Sequence, residues 1–291
     1  MNPFDLRGPE FLLFYLVISV VVILALVLLR RASESASAPK IDLSDPYLIA
    51  YLRGGENEAL RVGLISLIDR RLLAVNGTQV KRAHHARPGS VRRDVEKALI
   101  EKFATPAEAA SIFDDATLKL ACGKYQETLE RDRLLPDESV GQARMLRFIV
   151  AFFILGGVGG YKVMVALERG RTNVAFLIIL MCVAIAIAAK VSFPRLTATG
   201  AAMLADVQTL YSGLKERATF IRPGGATIEA MMLAATYGVG ALAGDGFAYT
   251  KTLFPRAQSS AVGSSCGSSC GSSCGSSCGG GCGGGCGGCG G

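Results

Sequence analysis

Between Phe11 and Leu29 the chain runs without a single charge, and Arg30-Arg31 closes the run. A segment that crosses hydrocarbon must satisfy each backbone N–H and C=O within itself, and a helix of roughly 20 apolar residues spans the ~30 Å core. The run is therefore expected to be a transmembrane helix over residues 11–29, behind a short N-terminal segment, 1–10. It reads as a retained anchor, not a cleaved export signal. Asp5 and Glu10 outweigh Arg7 ahead of it, and cleavage after Ala38 would place Pro39 next.

A helical hairpin is expected over residues 148–189. Residues 148–167 are apolar except for Lys162, near enough to the span end for its side chain to reach the interface, and 174–189 are uncharged. Glu168 to Arg171 forms the turn. Gly156 and Gly160 make a small-xxx-small face, and Ala184 and Ala188 offer a matching one, so close packing between the two is expected. The same glycines do not make a dinucleotide loop, because that fingerprint must follow a strand and open a helix.

Orientation follows from the cations at the span ends. Arg30, Arg31, Arg144, Arg147, Lys190 and Arg195 share one side, against Arg7, Arg169 and Arg171 on the other. The positive-inside bias puts the N-terminus outside and residues 30–147 and 190–291 in the cytoplasm. Part of the net charge of +7 is this topological signal. Trp is absent, so Tyr15, Tyr161 or Phe residues must supply the interfacial belt.

Residues 30–147 hold enough chain for one small, mostly helical domain. Asp45-Pro46 opens a helix, with an acceptor at the cap and proline in the first turn, and Gly54-Gly55 ends it. Leu60, Leu64, Leu67 and Ile68 recur at helical spacing over 56–70. Leu72–Val75, Asn76-Gly77 and Thr78–Lys81 read as a hairpin with a two-residue turn. Helix, helix, hairpin is half of a winged helix. Residues 91–133 read as helical, broken near Thr105-Pro106 and ended before Pro136.

Charge in this domain is segregated. Lys81, Arg82, Arg87, Arg92 and Arg93 have no acid among them, whereas Asp114, Asp115, Glu127, Glu130, Asp132, Asp137 and Glu138 crowd the later part. The cationic run suits a solvated loop beside anionic lipid better than nucleic acid, because phosphate contacts alone give non-specific binding and no base-reading helix is evident. His84-His85 points to two sides of an exposed loop without a partner ligand at usable spacing, so no metal is assigned there.

Residues 190–262 form a helical C-terminal region. Pro194 breaks the preceding helix, and Leu196 to Ala218 is expected as one amphipathic helix with Met203, Leu204, Val207, Leu210, Tyr211 and Leu214 on its apolar face. Ala226 to Leu242 raises the question of a fourth span, but Glu229 and Asp245 bracket too few uncharged residues, which favours a buried helix.

Residues 263–291 consist only of Gly, Ser and Cys, a low-complexity tail expected to be disordered, since it can build no core and glycine loses most entropy on ordering. Its cysteines are Cys266, Cys270, Cys274, Cys278, Cys282, Cys286 and Cys289. Only Cys286 and Cys289 have the CxxC spacing of a zinc knuckle, although a loose chain can wrap a soft metal ion. Seven thiols cannot all pair internally, and no Lys, Arg or His stands within the tail to activate one. The GxSxG match at Gly263–Gly267 lacks the strand and helix of a nucleophile elbow. Cys122 and Cys182 read as packing residues.

The segment Asp45 to Gly55, DPYLIAYLRGG, with Ala59-Leu60-Arg61-Val62, the membrane hairpin, Leu196-Thr197-Ala198-Thr199-Gly200 and the Gly/Cys tail, resembles a family of uncharacterised bacterial membrane proteins. The resemblance covers nearly the whole chain. It implies an inner-membrane protein and carries no catalytic or ligand residues. No catalytic constellation is found, so no catalytic, cofactor-binding or metal residue is assigned and no cofactor is implied. The expectation is a mainly α membrane protein with three transmembrane helices and a small α+β, winged-helix-like soluble domain. Its role is that of a non-enzymatic interaction or scaffold protein, with the lipid bilayer and a protein of unknown identity as partners. The alternative is a thiol-based metal-handling protein using the tail cysteines.

Overall fold

A computed structural model describes residues 8–35, 44–168, 175–221, 224, 227–242 and 245–255. The tail at 263–291, the turn cations Arg169 and Arg171, and Arg7 lie outside these residues. In chain order the elements are α1 (Gly8–Glu34), α2 (Pro46–Gly54), α3 (Glu56–Asp69), β1 (Leu73–Asn76), β2 (Gln79–Arg82), α4 (Asp94–Lys102), β3 (Ala107–Glu108) and α5 (Ala116–Arg131). They continue with α6 (Glu138–Glu168), α7 (Ala175–Ser192), α8 (Ala198–Leu210), α9 (Ser212–Glu216), α10 (Thr227–Tyr237) and α11 (Tyr249–Leu253).

Helices α1, α6 and α7 are long and apolar enough to cross a membrane. Each runs beyond the uncharged stretch read from sequence. The 31 residues of α6 are about 46 Å long, so its polar first turns extend past a ~30 Å hydrocarbon layer. The three pack on one another along narrow seams, and Leu13, Val20, Leu24, Phe153, Met164 and Ile179 stay exposed, as surfaces facing lipid would be.

The seams correct one expectation. Gly156 and Gly160 do not meet Ala184 and Ala188; both face open space. The face that packs is one residue away: Ala151, Leu155 and Gly159 on α6 are buried, with Ala184 and Ala188 of α7 beside Leu26 of α1. A Cβ on Gly159 would stand 2.8 Å from the Met181 sulfur and 3.3 Å from the Tyr15 ring, so glycine is what lets these helices approach. The Tyr15 hydroxyl donates to the Leu155 carbonyl at 3.1 Å, satisfying it inside the bundle. Cys182, expected as a packing residue, is exposed on α7.

The remaining elements share one hydrophobic core. It takes Tyr47, Leu60, Leu64 and Leu67 from α2 and α3, Leu99 and Phe103 around α4, and Leu233, Ala234 and Ala235 from α10, with Phe247 and Phe254 beyond. The described elements from α2 to α5 and from α8 to α11, separated in the chain by α6 and α7, thus contribute to one shared core. α10 has 11 residues, and Ala230 to Ala235 are buried between α2, α3 and α8, so it is a core helix too short to span.

Local chemistry explains most element ends. The Asp45 carboxylate accepts from the Tyr47 N–H at 2.9 Å and Pro46 occupies the first turn, while Gly55 at φ +80° closes α2. The hairpin pairs Asn76 with Gln79, so its turn is Gly77-Thr78, one residue later than the sequence suggests. Gly77 takes φ +62°, a conformation that favours glycine. β3 adds a third strand to β2, giving the order β1-β2-β3. Two pairings are too few for alternation to reveal it. The expected helix 196–218 is instead α8, α9 and a 3-10 turn, and Leu210 is exposed where an apolar face was expected. Val207 is the residue of that face that is fully buried.

Inside the core, the Tyr47 hydroxyl donates to Glu96 at 2.7 Å, and Arg70 reaches the other Glu96 oxygen at 3.2 Å. Burial, then the Glu96 charge, pushes the Tyr47 phenol well above its ordinary range. The folded state holds this proton to higher pH than the unfolded chain, whose phenol ionises near pH 10. The group's contribution to stability is therefore full below about pH 10 and lost as pH rises beyond it. Unfolding followed by circular dichroism between about pH 9 and 11 is expected to show a steep loss of stability that Tyr47→Phe reduces. Equal loss in both proteins would refute this role.

Candidate functional site

The segment from Phe193 to Gly200 runs from the end of α7 into α8, and it gathers polar groups from every layer of the protein. At its centre Arg144, in the second turn of α6, forms a two-pronged pair with Glu34, the last residue of α1: Nε to Oε1 at 2.7 Å and Nη2 to Oε2 at 2.8 Å. Both residues are buried, 4% and 7% exposed. The other Arg144 donors reach the Pro194 carbonyl at 2.7 Å and the Leu196 carbonyl at 3.1 Å. Proline matters here because it ends α7 and leaves carbonyls that no helix would otherwise occupy.

Glu34 is equally saturated. Arg30, one turn earlier on α1, donates to it at 3.2 Å and to the Leu196 carbonyl at 3.2 Å. The Ala198 N–H at the start of α8 donates to the same carboxylate at 3.1 Å, and the Thr199 hydroxyl donates to the Glu34 carbonyl at 2.8 Å. A carboxylate at a helix N-terminus meets unpaired N–H groups and the positive end of the helix dipole.

The same segment then grips the domain. The Arg195 guanidinium donates to the Tyr51 and Leu52 carbonyls at the end of α2, the latter at 3.1 Å. The Thr197 hydroxyl donates to the Arg133 carbonyl at 2.7 Å and accepts from Gly200 N–H at 3.0 Å, capping α8. The Thr197 N–H donates to the Leu134 carbonyl at 3.1 Å. Gly200 sits so close that an added Cβ would lie 2.2 Å from the Leu134 oxygen.

Sequence reading used Arg30, Arg144 and Arg195 only as topological cations and did not single out Glu34, which sits in a Ser/Ala-rich linker without a local pattern. What unites them is contact between residues more than 100 positions apart, and no spacing rule reveals it.

The cationic run divides in the structure. Arg93 is not part of an open cationic surface: it pairs with Asp45, and its guanidinium lies 4.5 Å over the Tyr47 ring. Arg70 is held by Glu96. Arg71, Lys81, Arg82, Arg87 and Arg92 have no ion-pair partner among the described residues, and all but the half-buried Arg82 are exposed. Residues 70–93 contain no acid and no Phe, Tyr or Trp. His84 and His85 are exposed, and no group of three or more His, Cys, Asp or Glu that could hold a metal occurs among the described residues. Cys122 is buried, and burial followed by the Glu56 charge pushes its thiol up to about 12, so it stays protonated and inert.

A shallow cavity of about 120 Å³ lies between Ile68, Asp69, Arg71, Gly224 and Tyr249, with the Asp69 carboxylate accepting from Gly224 N–H at 2.6 Å. It brings no nucleophile and base together.

Compared with known proteins, the chain matches no family model, no curated protein and no solved structure.

Arg144→Met takes from the buried Glu34 its two-pronged partner, leaving it Arg30 and the Ala198 N–H, and strips a donor from the Pro194 and Leu196 carbonyls, so it is expected to destabilise the protein by about 3 kcal/mol, measured by thermal unfolding in detergent. Replacing both, Glu34→Leu with Arg144→Met, is expected to recover part of that loss. Gly200→Ala places a methyl against a carbonyl oxygen that cannot withdraw, and is expected to cost about 1–3 kcal/mol in the same assay. An unchanged midpoint in any of these would mean that the junction is not held as described.

Proposed function

We propose that this chain is a non-enzymatic, multi-pass inner-membrane protein that presents an interaction domain at the membrane surface. The observation that carries the reading is the set of cations Arg71, Lys81, Arg82, Arg87 and Arg92, without an ion-pair partner among the described residues, on a domain anchored through Glu34, Arg144, Arg195 and Thr197 to the ends of three membrane-length helices. A tethered domain with unneutralised charge attracts an anionic partner, and here an acidic protein segment fits best. Nucleic acid fits less well, because no Phe, Tyr or Trp lies between 70 and 93 to offer a base a large stacking platform. The helix–helix–hairpin order of α2, α3 and β1-β2 supports a winged-helix-like description of the domain.

The orientation we favour places the N-terminus outside and the domain in the cytoplasm. It rests on the cations Arg30, Arg31, Arg144, Arg147, Lys190 and Arg195 at the domain end of the bundle. The tail at 263–291 then serves as a cytoplasmic arm. The resemblance to bacterial inner-membrane proteins is consistent with this assignment.

Two measurements test the reading. In a chain whose native cysteines are replaced, His84→Cys is expected to react with a membrane-impermeant maleimide only after cell lysis; labelling of intact cells would reverse the orientation. A photo-crosslinking residue at position 85 is expected to give a discrete adduct in cells that Lys81→Glu, Arg87→Glu and Arg92→Glu together abolish. These exposed substitutions should each shift stability by no more than about 0.5 kcal/mol. Crosslinks unaffected by charge reversal would exclude the cationic surface as the docking site.

A further inference from the structure

The small sheet that carries Lys81 and Arg82 has an unused edge. In the order β1-β2-β3, β1 pairs on one side, and no strand among the described residues lies on its other side. Residues of an antiparallel pair alternate between those bonded across it and those directed away from it. On β2 the Arg82 N–H turns from β1 and donates to the Phe103 carbonyl at 2.8 Å, and Val80 faces Ala107 of β3. Their counterparts on β1, Leu73 and Val75, therefore direct N–H and C=O away from β2. Leu73 is buried. Val75 is half-buried between exposed Ala74 and Asn76, and its N–H and C=O have no hydrogen bond among the described residues.

We infer that an extended acidic segment of a partner protein docks on this edge as a fourth strand, with acidic and apolar side chains in alternation. The inference rests on the cationic surface proposed above as the docking site and adds the conformation and chemistry of what binds it.

The register supplies both features. Main-chain bonds to Val75 hold an added strand in place, and its alternate side chains carry the selectivity. Two such bonds are worth about 1 kcal/mol each, so charge must contribute as well. On the outward face Lys81 stands directly across from Ala74, and Gln79 across from Asn76. Lys81 is exposed, without an ion-pair partner among the described residues, and Ala74 puts only a methyl group between it and the open edge. The backbone of an added strand would lie about 10 Å from that of β2, two strand spacings, a gap that a lysine and a glutamate side chain bridge together. Arg71, also exposed and unpaired among the described residues, stands two positions before β1. The opposite face is different: Val75 lies across from the buried Val80 on the side of Leu73, which suits an apolar neighbour. Because side chains alternate with a period of two, acidic and apolar residues must alternate in the segment that fits.

The test uses the full-length protein in detergent micelles. The probe is a fluorescein-labelled, amidated octapeptide of alternating Glu and Val, followed by fluorescence anisotropy. Saturable binding is expected, and Lys81→Glu is expected to weaken it roughly fivefold. Two further peptides, one with every Val and one with every Glu N-methylated, keep all charges but lose alternate N–H donors; one of them is expected to bind roughly tenfold more weakly. Val75→Pro removes the outward N–H without touching the β1–β2 ladder and should weaken binding similarly. Circular dichroism shows whether that variant is folded, and if it is not, the methylated peptides carry the test. Equal binding of all three peptides overturns strand addition while leaving the cationic surface as a docking site. Failure of the functional reading looks different, because the crosslink at position 85 would then resist charge reversal. No saturable binding, or equal binding of a peptide of alternating Lys and Val, also overturns the proposal. A dimer in native mass spectrometry that the Glu-Val peptide disperses would assign the edge to a second copy of this chain instead.

Discussion

The pairing of Glu34 with Arg144 is the interaction on which the rest of the structure depends. Apolar helices in hydrocarbon gain nothing from hiding apolar surface from one another, so packing and polar contacts must decide how they sit. The seams here bury Phe11, Tyr15, Leu26 and Leu155 beside small residues such as Gly159, Ala184 and Ala188, yet most of each helix faces outward, which leaves α1 and α6 some freedom of height and rotation. A two-pronged guanidinium–carboxylate pair at one end removes that freedom, because its geometry tolerates little displacement. The pair is not a simple source of stability, since the desolvation of both charges offsets much of their attraction. Its value lies in defining one arrangement and in penalising every other that would leave a charge buried alone.

That arrangement carries through the backbone. Arg144 and Arg30 hold the carbonyls of Pro194 and Leu196, Glu34 caps the first turn of α8, and Arg195 and Thr197 turn outward to the ends of α2 and α5. Seven residues thus join three helices of membrane length to a domain whose core is drawn from both sides of the membrane hairpin. The domain cannot complete its core until the chain beyond α7 has been made, because Leu233, Ala234 and Ala235 of α10 are buried in that core and α10 packs on α2 and α3. Bundle and domain are therefore a single folding problem, with the junction as the point at which each constrains the other.

Charge acquires different meanings by position. Arg93 lies within the same cationic run as Lys81 and Arg87, and Arg70 precedes that run, yet Arg93 and Arg70 are internal ties to Asp45 and Glu96 and the other two remain available. Arg144 and Arg147 stand one turn apart on α6, one saturated by a carboxylate and two carbonyls, the other without a partner among the described residues. A guanidinium surrounded by its own acceptors has no capacity left for a ligand, whereas an unpaired one at a helix end attracts anions.

Much of this architecture was legible in the chain. The uncharged run from Phe11 to Leu29 is legible as a helix long and apolar enough to cross a membrane, where its backbone groups would have only one another as partners. The Asp45-Pro46 start, the Gly54-Gly55 stop and the hairpin around Gly77 follow from cap and turn chemistry that acts over a few residues. Other features depended on contacts across more than 100 residues: the burial of Glu34 with Arg144, the choice of Ala151, Leu155 and Gly159 over Gly156 and Gly160, and the merging of two chain segments into one core. Most helical segments, and the three that are apolar enough for a membrane, can be read from the residues alone, since periodicity, caps and hydropathy are local properties. Which helix faces meet, where the helix expected over 196–218 breaks, and which charges are neutralised depend on where distant atoms come to rest.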